Sequence, residues 1–313
     1  MRKIVVVFLL FSLTITGQDI KKTLPNVFDG FPHVRDFSMT KNQDEIYFTI
    51  QSFKKEYSFI AVVKKEKGQW SKPKVASFSG KFKDLEPFLS PNGLMLYFAT
   101  NRVDNSSTKI KKDIDIWFVE RKSMTHSWST PKNIGPEINT SADEYYPSVT
   151  NNGDLFFTAA YKDAKGKEDI YVSRLVEGMY TKPTSLSTAV NSEKYEFNAY
   201  VSPDESFIIY TSYGRKNGFG GGDLYISFKD EKKQWTAAKN LGNKINSPKI
   251  DYCPFVDFKT KTLYYTSERS TIPKSFSSKK NIDELLDCLL KQPNGIGRIY
   301  QTSFSRILEQ DAH

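Results

Sequence analysis

Short apolar runs alternate with polar turns along most of the chain, and one arrangement of them keeps returning. It is clearest over residues 128–157. There a Trp-Ser-x-Pro stretch leads through Asn133, Ile134 and Gly135 and a polar loop to Glu144. Two tyrosines and Pro147 follow, then a turn at Asn152-Gly153 and a second apolar run. Asn-Gly and Pro-Asp pairs turn a chain because the first supplies positive φ and the second pre-sets φ. Runs rich in β-branched and aromatic residues between such turns read as strands. The aromatics that end the second strand of each copy are Phe48, Phe98, Phe157, Tyr210 and Tyr265, spaced 50, 59, 53 and 55 residues apart by subtraction. A unit of this length cannot bury its own apolar face, so the copies must stack on one another.

Each copy reads as four strands. An inner strand ends in a turn at 89–93, 149–153 or 201–205, and a second strand follows at 94–99, 155–159, 207–211 or 262–266. A polar or Gly-rich loop then leads to a third strand opening at Asp115, Asp169, Asp223 or Arg298. The fourth begins at an aromatic, Trp70, Trp128, Tyr180 or Trp235. In three copies it carries a proline (Pro73, Pro131, Pro183), which suits an edge strand because proline cannot donate to a ladder. The fifth copy has no fourth strand of its own, and residues 21–28 supply one. Four-stranded units tiled in a ring make a β-propeller. Closing the ring with an N-terminal strand removes two sheet edges. The expected fold is all-β, a five-bladed propeller forming one domain over residues 18–313. One insertion, 270–294, breaks the pattern. Asn281 is a good N-cap, and Ile282, Leu285, Leu286, Leu289 and Leu290 form a helical stripe that Pro293 and Gly295 end.

The WSxPxN stretch, the acid and proline before each turn, and the Asp-Ile-Tyr third strand resemble the WD-like propeller repeats of the TolB type. These are common in exported proteins of Bacteroidetes-like bacteria. The resemblance covers most of residues 18–300. It departs in the first copy, where Arg35-Asp36-Phe37 replaces the usual start, and in the third, whose second loop lacks the glycine cluster. It implies a propeller that binds something and does not imply catalysis.

Composition narrows the setting. Of 313 residues, 14% are aromatic and 26% charged, which fits short strands packed in sheets and excludes a disordered or membrane-embedded chain. Arg2 and Lys3, an apolar run at 4–13 too short to span a bilayer, and Thr14, Thr16 and Gly17 make the pattern of a secretory signal peptide, 1–17. No cysteine directly follows that run to take a lipid anchor. The expected location is periplasmic or secreted. The formal charge of +9 is spread over scattered lysines with acids between them. That reads as a solvated basic surface rather than a nucleic-acid footprint, and leaves anionic polysaccharide or lipopolysaccharide as a partner class.

Candidate chemistry lies at the inner-strand starts. Asp84, Glu144, Glu196 and Asp251 stand there, with Asp36 offset in the first copy, and Arg102, Lys162, Arg215 and Arg269 open the loops on the same face. Two readings stay open. They are charge pairs tying neighbouring blades, or with Tyr145, Tyr195 and Tyr252 they line a polar funnel at the channel mouth for a sugar, peptide or partner protein. A glycosidase needs two carboxylates in unequal environments, whereas these acids repeat at equivalent positions. The Gly218–Asp223 loop has no Walker lysine or strand–loop–helix frame, so it is no nucleotide site. Calcium in that loop stays open as a weak alternative, since no regular acid spacing supports it, and three scattered histidines support neither zinc nor a triad. No cofactor is expected. Cys253 and Cys288 are either one disulfide pinning the insert over the mouth or two separate buried thiols. The expected function is a non-catalytic binding propeller for an envelope protein, peptide or glycan. The alternatives are a carbohydrate-active hydrolase using the central carboxylates, and an envelope-complex scaffold bound through its outer faces.

Overall fold

The structure, a computed structural model, describes residues 20–103, 110–291 and 293–309. The expected signal segment lies outside them. Five four-stranded antiparallel sheets form the blades of a propeller. Their inner strands are His33–Met39, Asp84–Leu89, Glu144–Val149, Tyr195–Val201 and Asp251–Asp257. Blade 5 takes its outer strand from the N-terminus, where Lys21 pairs with Gln301 and Lys22 with Tyr300. Only those two residues are strand. Leu24 then turns into the left-handed region at φ 41° and Pro25–Phe28 forms one helical turn. Two other outer strands behave alike: Lys132–Asn133 and Lys239–Asn240 are each followed by a positive-φ glycine, Gly135 or Gly242. Residues 21–28 are thus a full copy of the crossover segment, with Phe28 packed on Phe48 where three other blades carry an asparagine.

The outer strands are shorter than their sequence promises. Trp70 and Tyr180 belong to small hairpins with the preceding strand, and pairing resumes only past the proline, at Lys74 and Thr184. The asparagines of the crossovers explain why two residues suffice. Asn139, Asn191 and Asn246 each accept from and donate to one residue of the third strand, Ile116, Ile170 and Leu224. A side-chain amide there continues the ladder where the backbone has turned away. Glycine is obligatory at one close approach: a Cβ on Gly220 would lie 2.3 Å from the carbonyl oxygen of Lys249 in the next blade. Gly166 meets Lys194 in the same way, so the third blade keeps this contact without the glycine cluster.

Every inner strand bulges at one residue, and that residue has positive φ: Asp36, Glu86, Tyr146, Asn198 and Cys253. A bulge re-aims side chains, and here it turns five of them toward the axis. Contacts between non-adjacent blades show how full the axis is. The Tyr146 hydroxyl donates to Pro254 O at 3.1 Å, and the Phe88 and Tyr200 rings lie 6.2 Å apart. The propeller therefore has two separate mouths rather than a through-channel.

The insert helix, Ile282–Leu290, carries the capping box that its sequence promises, with Asn281 and Glu284 satisfying each other's backbone donors. A short C-terminal helix, Ser305–Glu309, buries Ile307 under the last blade. Among the described residues no helix is long and apolar enough to cross a membrane.

Candidate functional site

The four acids at the inner-strand starts are fully buried and point into the blade junctions. Asp84 meets Arg102 at 2.6 Å, Glu196 meets Arg215 at 3.0 Å, and Asp251 meets Arg269 at 3.2 Å. Each arginine also donates to a crossover carbonyl from the preceding blade, Phe78, Val190 or Ile245. Their guanidinium faces cover aromatic rings, Arg102 on Phe98, Arg215 on Tyr225 and Arg269 on Tyr300. One guanidinium thus pairs the acid, stacks on its own blade and ties the neighbour. These residues belong to the interblade reading and do not line the mouth.

Blade 3 lacks the arginine. Lys162 is exposed, and Tyr161 replaces the clamp by donating to Ile138 O at 2.5 Å and packing on Tyr171. Among the described residues Glu144 accepts from the backbone and hydroxyl of Thr140 and has no cation beside it, so burial pushes its carboxyl up to about 7. A carboxyl raised on folding favours the folded state below its ordinary value of 4.5, and that support is lost as pH rises to about 7. Glu144→Gln keeps an acceptor for Thr140 and removes this dependence. Above pH 7 the variant is expected to be more stable than the parent by about 2–3 kcal/mol, with the gap closing toward pH 5. Thermal unfolding on either side of that window measures it.

The mouth itself is built by other residues. A cavity of about 650 Å³ opens there, lined among others by Arg35, Lys55, Glu86, Tyr145, Glu168, Lys249, Tyr252 and Glu268. Of the residues expected at the mouth, Tyr145 and Tyr252 line it. Tyr195 stands outside, half-exposed against Tyr213. Arg35 organises the floor. Its Nε donates to Asp36 at 2.9 Å, and its Nη2 donates to Glu86 at 2.7 Å and to the Cys253 sulfur at 3.3 Å. The Tyr252 ring lies 5.0 Å from the guanidinium carbon. Glu86 also accepts from Tyr146 N and Asn198 Nδ2, so all five bulge residues join one polar ring through it or Arg35. Burial, reinforced by Asp36, pushes Glu86 up to about 7 in spite of Arg35.

The cavity walls differ in how far their charges are neutralised. Lys55 pairs with Glu268 at 2.5 Å, closing blade 1 onto blade 5. Glu168 has no hydrogen-bond or ion-pair partner for its carboxylate among the described residues, and burial with Asp143 nearby raises its pKa. A second recess of about 420 Å³ adjoins, sharing Tyr145 and Glu168 and adding Asp113 and Asp143. Among the described residues no group of three or more His, Cys, Asp or Glu is arranged to hold a metal ion.

The disulfide expectation is corrected: both thiols are free. Cys253 sits at a bulge, so its side chain turns down into the axis beneath Arg35 rather than up toward the insert, and burial raises its thiol pKa far above the ordinary value. Cys288 is half-buried on the insert helix at the rim.

Sequence reading missed Arg35, Glu86, Glu168 and Asn198 as mouth residues. The usable signal was the position two residues past each inner-strand acid, three times followed by proline (Pro87, Pro147, Pro254).

No family model matches the chain, and no curated protein matches it in sequence. Solved structures do. An α-L-arabinofuranosidase from Podospora anserina, in complex with cellotriose, is 10% identical over 91% of this chain and 96% of its own, with a TM-score of 0.52. The α-L-arabinofuranosidase from Lactobacillus brevis is 14% identical over 88% and 94%, with a TM-score of 0.50. TolB from Acinetobacter baumannii is 13% identical over 86% of this chain and 54% of its own, with a TM-score of 0.47. At such identities the likeness is one of fold alone.

Proposed function

We propose that the protein is an exported, non-catalytic recognition propeller of the TolB type that binds an envelope protein, peptide or glycan at this mouth. The observation that carries the reading is the cavity itself. Groups from all five blades meet in it, aromatic walls stand beside a carboxylate with no partner among the described residues, and the size is that of an ordinary ligand pocket. The repeat pattern supports the TolB-type relationship. Glu168 and Tyr145 are the groups with capacity left for a ligand, since the charges beneath them already satisfy one another.

A hydrolase is the second reading, because Glu86 at about 7 opens on the same cavity as Glu168. Against it, both Glu86 oxygens are already engaged, one by Arg35 and Asn198 and the other by the Tyr146 amide. A general acid needs a free oxygen to reach its leaving group.

A screen of soluble glycans and peptidoglycan-fragment peptides, with product analysis on every hit, tests the choice. Binding without product is expected, weakened about tenfold by Glu168→Gln or Tyr145→Phe with unfolding unchanged. Product that disappears in Glu86→Gln replaces the proposal with the hydrolase. A ligand bound equally by parent and both variants moves the site elsewhere.

A further inference from the structure

The rim around the mouth carries apolar surface that the fold does not use. Inner-strand starts pair with second-strand ends, His33 with Gln51, Tyr195 with Tyr213, and Asp251 with Ser267. The loops that leave those ends therefore open on the face of the mouth cavity. Phe53, 70% exposed, tips the blade 1 loop, and Phe219 tips the blade 4 loop. On blade 5 the insert presents Ile282, Leu286, Leu289 and Leu290, with Ile282 67% and Leu290 73% exposed.

The insert is not a loose segment. Ser270 bridges to Asn294, Thr271 N donates to Pro293 O at 2.9 Å, and Gly295 N donates to Arg269 O at 3.1 Å, so its neck is closed. The capping box orders the helix start. Yet no residue of the helix is buried. A nine-residue helix is marginal without tertiary packing, and a stripe of leucines held in solvent calls for a covering phase.

Charge says which one. Each apolar tip has a lysine beside it with no ion-pair partner among the described residues: Lys54 next to Phe53, Lys216 near Phe219, and Lys274, Lys279 and Lys291 around the helix. Two further lysines at these tips are paired, Lys55 to Glu268 and Lys280 to Glu284. At 100° per residue, Glu284 and Asp287 fall on the side of the helix away from the leucine stripe, and Asp283 sits at its edge, about 20° from Leu290 by that count. Apolar side chains that enter the acyl boundary, with lysine stems reaching back to phosphates, are what binds a protein to an anionic bilayer. A protein partner would also cover leucines, but would not require a free lysine at the foot of every apolar tip on three separate loops.

We propose that this face is a peripheral docking surface for an anionic lipid bilayer, with the insert helix lying in the interface. The proposal goes beyond ligand binding at the mouth and does not depend on it. Cosedimentation of the full chain with phosphatidylcholine vesicles, with and without phosphatidylglycerol, tests it. Every variant keeps the apolar run at 4–13, so differences between variants report this face. Binding is expected to require phosphatidylglycerol and to fall with salt. It should drop at least tenfold in Leu286→Ser/Leu289→Ser/Leu290→Ser, and roughly a hundredfold in Lys274→Gln/Lys279→Gln/Lys291→Gln. All six positions are exposed, so unfolding should not change. A parent chain that leaves the anionic vesicles in the supernatant overturns the proposal, even if a protein partner is found for the leucines. So does binding that both triple variants retain.

Discussion

Replacing Arg102 by methionine is expected to lower the unfolding free energy by about 3–5 kcal/mol, read as a fall in the urea midpoint. Asp84 beneath it is fully buried and accepts from Thr100 at 2.7 Å, Ser79 at 2.8 Å and Arg102 at 2.6 Å. The two hydroxyls help to solvate the carboxylate, but only the guanidinium neutralises it. Its loss leaves a buried charge without compensation and removes the donor to Phe78 O that joins blade 2 to the crossover from blade 1. Methionine fills much of the space over Phe98 and Trp117, so the effect is electrostatic rather than a cavity. Asp84→Asn in the same chain removes the stranded charge and should recover most of the loss, which a purely steric effect would not do. An unchanged midpoint in Arg102→Met would return Asp84 and Arg102 to the funnel reading.

The architecture was legible because its causes repeat. Proline before an edge strand, asparagine replacing a ladder, glycine where one blade's loop crosses the next, and an acid paired with an arginine all recur, since five interfaces pose the same packing problem. Even the N-terminal closure could be read, because residues 21–28 must solve that problem a fifth time. The mouth was not legible by the same method. Its five bulge positions share a backbone conformation and no residue type: Asp36, Glu86, Tyr146, Asn198 and Cys253. Repetition in sequence marks what the ring needs, so a search for repeated acids found the clamps and passed over the axis. Arg35 was visible only as a departure from the pattern. Cys253 shows the cost of ignoring the bulge. Read as an ordinary strand residue it points toward the insert, whereas positive φ turns it to the axis. Glu168 precedes a third strand, and only the three-dimensional approach of blade 3 to the mouth gives it a role.

Arg35→Met is the variant in which the axis should fail. It strands Asp36 and Glu86 together, in a site where Glu86 is already pushed up to about 7 with the guanidinium present. A loss of about 3–5 kcal/mol is expected at neutral pH. The pH dependence distinguishes this from a packing defect. Without Arg35, Glu86 must be raised further on folding. The folded state then binds more protons than the unfolded chain from the ordinary 4.5 to beyond 7, and stability falls as pH rises through that window. Near pH 5 the variant should regain part of the parent's stability, and Arg35→Met/Glu86→Gln should flatten the profile and recover much of the loss at neutral pH. Chemical denaturation at pH 5 and pH 8 reads both. A deficit that is the same at the two pH values, and unchanged by Glu86→Gln, would mean that the ring contributes by shape and not by charge. The restored double variant has a further use. If Glu168 and Tyr145 carry recognition while the ring only closes the axis, it binds the mouth ligand as the parent does. If Arg35 itself holds the ligand, stability returns without binding.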